Sequence, residues 1–192
     1  IEQTENIFEA IYRIKELLGF KQVIMCIEDN KPKAIEALYK IAADKRDTDD
    51  SIKLMRLKSH YPQGAEKVLI YTATGRRVPA GKLPSDVGCV VMNITSISVL
   101  NKYINTGMPL VSKTVTVDGA AVREPQNVVV PIGTSVKDVI EFCDGFKSTP
   151  RKILYGGPMM GTALINTDMP ILKQNNAIIA MDRRQSEKQK ET

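Results

Sequence analysis

Residues 61–67, Tyr-Pro-Gln-Gly-Ala-Glu-Lys, bring an aromatic ring, a glycine and a carboxylate together at what reads as the start of a helix. Gly64 lets backbone approach a ligand closely, and free N–H groups at a helix start attract anions. Glu66 then stands where it can accept hydrogen bonds from a ring or a ribose. Residues 90–96, Val-Val-Met-Asn-Ile-Thr-Ser, read as a strand end leading into a helix. Ligands of open α/β sheets lie beyond such strand ends, where Asn93 and Ser96 fall. Residues 155–161, Tyr-Gly-Gly-Pro-Met-Met-Gly, read as a tight turn with Met159 and Met160 packing behind it as adaptable filler. Each segment also has an ordinary reading: a turn opening a helix whose first turn favours Glu, an N-cap, and a structural turn.

Other chemistries find no support. The chain has no GxGxxG, phosphate-loop lysine, HExxH or GxSxG pattern. Cys26, Cys89 and Cys143 are scattered through apolar settings without CxxC spacing, and His60 is the one histidine. That pattern argues against a disulfide framework or a zinc site and predicts buried free thiols in a reducing compartment. No residue reads as a general acid, base, nucleophile or metal ligand. The net charge of +5 gathers partly in residues 182–192, and no basic stripe interleaved with aromatics marks a nucleic-acid surface. No apolar run approaches the roughly 20 residues of a membrane span, so direct membrane insertion is not expected. The first residue is Ile, which suggests a piece of a longer protein.

The elements that must position these residues follow from periodicity. Ile7, Ala10, Ile11, Ile14, Leu17 and Leu18 share a helical face that Gly19 ends. Residues 22–28 read as a buried strand, Asn30 as a cap, residues 32 onward as a helix, and 51–57 as a second strand. Strand, helix and strand with short links predict a parallel βαβ unit. A second helix pattern follows Gly64, and the Pro/Gly-rich connector 75–88 is too full of breakers for regular structure. Residues 89–93 read as a brief strand before a helix capped by Asn93 and ended by Gly107. Beyond residue 107 the texture alternates: a hairpin turning at Asp118-Gly119, a short helix capped by Thr134, and a strand over 152–157. That order is a small ubiquitin-like β-grasp. The expected division is therefore 1–107, 108–181 and a polar, frayed tail over 182–192.

Read in order, "CIEDNKPKAI", "YPQGAEKVLIYTATGRRVPAGKLPSDVGCVVMN", "TVTVDGAAV", "VVVPIGTSV" and "GGPMMGTAL" resemble one family. It is the C subunit of the Rnf electron-transport complex, an ion-translocating ferredoxin:NAD oxidoreductase similar to the flavin-binding, NADH-oxidising subunit of respiratory complex I. The resemblance runs from about residue 20 to 181 and implies α/β architecture: part of a Rossmann-like flavin domain with a parallel sheet, followed by a β-grasp SLBB domain.

By position it places Tyr61, Gly64 and Glu66, and then Asn93 and Ser96, beside FMN. Ala65, Met92 and Thr95 depart from the family's Tyr-x-x-Gly-Glu-Glu and Asn-Asn-Val-Glu-Thr segments. The family's Gly-rich phosphate loop and its cysteine repeats for 4Fe-4S clusters are expected to lie upstream and downstream of this chain. By itself the chain is thus expected to bind FMN weakly or not at all and to show no turnover. The parent is expected to exchange electrons between NAD(H), FMN and the clusters, at the cytoplasmic face of a membrane and against other Rnf subunits. Two alternatives stand beside this: a cobalamin reductase of the same flavin and iron–sulfur family, and a docking module without redox work.

Overall fold

A computed structural model of the chain describes residues 4–45 and 51–184. Most of the tail expected to fray, from residue 185 on, lies outside the described residues. The chain divides into two compact units, Ile1–Gly107 and Met108–Thr192.

In the first unit, α1 (Thr4–Leu18) precedes β1 (Val23–Glu28), α2 (Pro32–Lys45), β2 (Ile52–Leu57), α3 (Glu66–Thr74) and α4 (Ile94–Thr106). The strands β1 and β2 are parallel, in register from Val23–Ile52 to Glu28–Leu57. The α1 face buries Phe8 and Ile11 against Met25, with Leu38, Ile41 and Ile97 packed around them. Each fully buried large apolar side chain contributes about 1.5–3 kcal/mol, so this cluster holds α1, α2 and α4 together at the sheet.

Several expectations shift here. Met25 is the one buried residue of β1 and the rest is half-buried, because the described sheet has two strands and two open edges. The first bond of α2 runs from Ile35 N–H to the Lys31 carbonyl, and the Asn30 carboxamide receives the Lys31 ammonium. Asn30 is therefore one residue too early to cap. Residues 89–93 are not a strand. Their valines have strand propensity, but among the described residues no neighbouring strand offers them a ladder. The connector does contain one turn of 3-10 helix, Pro84–Val87, closed by the Leu83 N–H donating to the Asp86 carboxylate at 2.8 Å.

The second unit is a five-stranded sheet in the order β4-β3-β7-β5-β6. Its strands are β3 (Ser112–Asp118), β4 (Gln126–Pro131), β5 (Lys152–Tyr155), β6 (Thr162–Ala163) and β7 (Ala177–Met181), with α5 (Val136–Phe142) laid across. The central strand β7 is parallel to β3 and antiparallel to β5, which is β-grasp order. Val115, Val117, Val139, Ile140 and Ile178 form its core.

Here too the details move. The β3–β4 connection spans residues 119–125, so Asp118-Gly119 opens a longer loop and not a two-residue hairpin. Gly119 sits at φ +115, and a Cβ there would meet the Ala180 carbonyl oxygen at 2.1 Å. Ser135, not Thr134, caps α5, accepting from the Asp138 N–H at 3.0 Å, while the Thr134 hydroxyl donates to the Pro131 carbonyl. Met159 and Met160 are 70% and 87% exposed and pack behind nothing. What shapes that turn is close backbone approach: a Cβ on Gly161 would meet the Gly157 carbonyl oxygen at 2.5 Å.

Candidate functional site

The candidate site lies in the first unit and begins where β1 and β2 end. Ser59 N–H donates to the Asp29 carboxylate at 3.0 Å, and Asn30 N–H donates to the Ser59 hydroxyl at 3.3 Å. Hydrogen bonding from the Ser59 side chain, then from its N–H, and more weakly the nearby Arg56 charge hold the Asp29 carboxyl below its ordinary range. Two loops leaving adjacent parallel strands are thereby fixed to each other.

The chain then turns twice. Gln63 N–H donates to the His60 carbonyl and Ala65 N–H to the Pro62 carbonyl, both at 2.8 Å. The Gln63 side chain is buried and donates to the Thr72 hydroxyl at 3.3 Å, which pins the turn onto α3. With Gln63 turned inward, Tyr61 is 76% exposed. Glu66 is the first residue of α3 and exposed, and the N-cap, Ala65, has no side chain to satisfy the helix's first N–H groups. That leaves an electropositive helix start beside the ring.

Gly64 lies at the centre of this turn. Its φ is outside the left-handed region, and a Cβ built on it would meet nothing within 4 Å. Neither backbone conformation nor packing calls for glycine at position 64. An open space over bare backbone is what a flat aromatic ligand needs, and in this respect the residues fit a flavin.

Asn93 and Ser96 stand in the first turn of α4. The Asn93 side-chain oxygen accepts from the Thr95 N–H at 2.8 Å, so it caps the helix and its amide nitrogen remains as a donor. Ser96 is exposed. Tyr61, Gly64 and Glu66 thus share one turn and helix start, and Asn93 and Ser96 share another. Arg76 ties the far end of α3 to the segment that enters α4, with its guanidinium 2.8 Å from the Val87 carbonyl. Ser59 lies in none of the motifs, and Asp29, Gln63 and Arg76 lie inside motifs that gave no sign of their holding roles, because each acts through a group at least 9 residues away.

The thiols stay outside this chemistry. Cys143 is buried, whereas Cys26 and Cys89 are half-buried, a correction to the expectation that all three are buried. Burial pushes the Cys26 and Cys143 thiols up, away from the thiolate form a nucleophile needs. Among the described residues no group of His, Cys, Asp and Glu could hold a metal ion, and no helix is long and apolar enough to cross a membrane.

A parallel βαβ crossover in one unit and a β-grasp in the other define the class: an α/β unit and a ubiquitin-like module in one chain. The chain belongs to the Nuo51 FMN-binding domain family, matched over residues 1–102, and carries an SLBB domain matched over 114–163. It is 42% identical over 181 residues to the C subunit of the proton-translocating ferredoxin:NAD(+) oxidoreductase complex of Clostridium ljungdahlii, covering 94% of this chain and 38% of that one. It is 39% identical over 180 residues to the C subunit of the ion-translocating oxidoreductase complex of Rhodobacter capsulatus, covering 94% and 34%. The chain thus spans well under half the length of these curated relatives. The fold is shared with an NAD+-reducing [NiFe]-hydrogenase in its H2-reduced state: TM-score 0.76 at 18% identity, over 94% of this chain and 36% of the other. These relatives are named as subunits of ion-translocating oxidoreductase complexes and not as cobalamin reductases.

Proposed function

We propose that this chain is the flavin-side portion of a peripheral electron-transfer subunit, one that passes electrons between NAD(H), FMN and iron–sulfur clusters within an ion-translocating membrane complex. The observation that carries this reading is Gly64, a glycine with no structural reason of its own, set between an exposed Tyr61 and an uncapped helix start. Family membership and the names of the relatives support it.

FMN, when bound, supplies both hydride acceptance and one-electron transfer. The chain's own residues orient and exclude. Tyr61 would pack against the flavin and Gly64 would allow its backbone to come close. Glu66 would accept hydrogen bonds from it, and Asn93 and Ser96 would donate to it. No proton is held or moved by a dedicated acid or base in this account, and the cytoplasmic membrane face and the other proteins of the complex are the setting it implies.

The test is a titration of the chain with FMN, followed by visible absorbance and flavin fluorescence. A weak but saturable, spectrally perturbed signal is expected. Free-flavin spectra throughout would remove the flavin site from these residues.

A further inference from the structure

Resting on the flavin reading above, we propose that Arg76 is a positioning residue that sets where the segment entering α4 stands relative to α3. The two segments concerned are the turn at 61–64 with the start of α3, and the run 90–93 with the start of α4. Between them lie twenty-odd residues dominated by the Pro/Gly-rich connector.

Arg76 is anchored at one end of that span. Gly75 terminates α3 in the left-handed conformation, its N–H donating to the Tyr71 carbonyl. The Arg76 N–H donates to the Thr74 hydroxyl at 3.2 Å, and that hydroxyl donates to the Ile70 carbonyl at 2.7 Å. Ile70 is the buried residue of α3. The backbone of Arg76 therefore moves with the helix that begins at Glu66.

Its side chain grips the other end. One guanidinium nitrogen lies 2.8 Å from the Val87 carbonyl, 3.2 Å from the Gly88 carbonyl and 3.6 Å from the Cys89 sulfur. A Cβ on Gly88 would come within 3.3 Å of that nitrogen. Residues 89–93 have no sheet ladder among the described residues, so their path toward Asn93 is set by how it starts. It starts at the Arg76 grip and at the Cys89 N–H, which donates to the Pro84 carbonyl at 3.0 Å. A guanidinium presents several donors in a fixed plane and stays charged at all relevant pH. A lysine side chain carries its charge on a shorter, unforked head without the guanidinium's fixed plane, so it holds the same acceptors less rigidly.

The experiment uses Arg76→Ala and Arg76→Lys in the whole chain, with two readouts. Amide exchange at Gly88 and Cys89, bonded to the Ser85 and Pro84 carbonyls, reports the grip without any flavin. Absorbance of added FMN at saturation reports the pocket. Arg76→Ala is expected to speed exchange at these two amides about tenfold, the effect of losing one charge-assisted hydrogen bond. Protection along β1 and β2 is expected to stay unchanged, and the bound-flavin spectrum to shift toward that of free flavin. Arg76→Lys is expected to fall between the two. Should Arg76→Ala also lose β1–β2 protection, Arg76→Lys decides alone. Unchanged exchange at both amides, or an unchanged bound-flavin spectrum in a variant whose exchange has risen, overturns the proposal. A wild-type chain that never perturbs FMN refutes the flavin reading instead, and exchange then still decides whether the grip exists.

Discussion

Asp29 and Ser59 clasp the carboxyl ends of β1 and β2: the Ser59 N–H donates to the Asp29 carboxylate at 3.0 Å, and the Ser59 hydroxyl receives the Asn30 N–H at 3.3 Å. The clasp stands two residues ahead of Tyr61, so it fixes the point from which the candidate site departs. It also makes an acid-sensitive joint. The folded-state pKa of Asp29 is depressed, so its contribution is fully present above the unfolded value and is lost as pH falls through the folded one. In thermal melts, Asp29→Ala is expected to melt below wild type at neutral pH. The gap should close below about pH 4, the unfolded carboxylate value. A gap that stays constant from neutral to strongly acidic pH contradicts the assignment.

Gly119 is held by the fold itself. With φ at +115 and the Ala180 carbonyl 2.1 Å from any added Cβ, Gly119→Ala must displace the centre of the β-grasp. A loss of about 2–5 kcal/mol in the second unit is expected from strain and overpacking together. Urea unfolding read from that unit checks it, and a loss under about 1 kcal/mol is the contrary result.

Ile178 lies fully buried in β7, between β3 and β5. Ile178→Ala is expected to cost about 2–5 kcal/mol, the range for truncating a large aliphatic residue in a packed core. The same denaturant titration reads it, and a near-neutral outcome would mean that β7 is not the central strand.

Local signals in the sequence carried the frame further than the details. The Ala10, Ile11 and Ile14 part of the α1 face, the parallel βαβ unit, the Asn93 cap and the hairpin–helix–strand order are written in neighbouring residues. Leu17 and Leu18, expected on that face, are instead exposed, and Phe8 is buried there. Caps slipped by one position, from Lys31 to Asn30 and from Ser135 to Thr134, because adjacent polar residues compete for one role. Residues 89–93 read as a strand because valine favours one, yet a strand also needs a partner, which no single segment encodes. The central β7 went unnoticed for the converse reason: Ala177–Met181 is a short apolar run whose place is fixed by two distant strands. In the candidate site the exposed residues could be named from motif and resemblance. The side chains that hold them, Asp29, Ser59, Gln63 and Arg76, bond to backbone or side-chain groups well separated along the chain.

On the flavin reading proposed above, Gly64 is glycine for a ligand and not for the fold, and paired measurements on Gly64→Leu decide between the two. Urea unfolding is expected to change by less than about 0.5 kcal/mol, as for a surface substitution in open space. FMN titration of the same variant is expected to lack the saturable spectral change expected of the unaltered chain. A variant that unfolds more easily by several times that amount, or one that perturbs FMN as the unaltered chain does, contradicts the account.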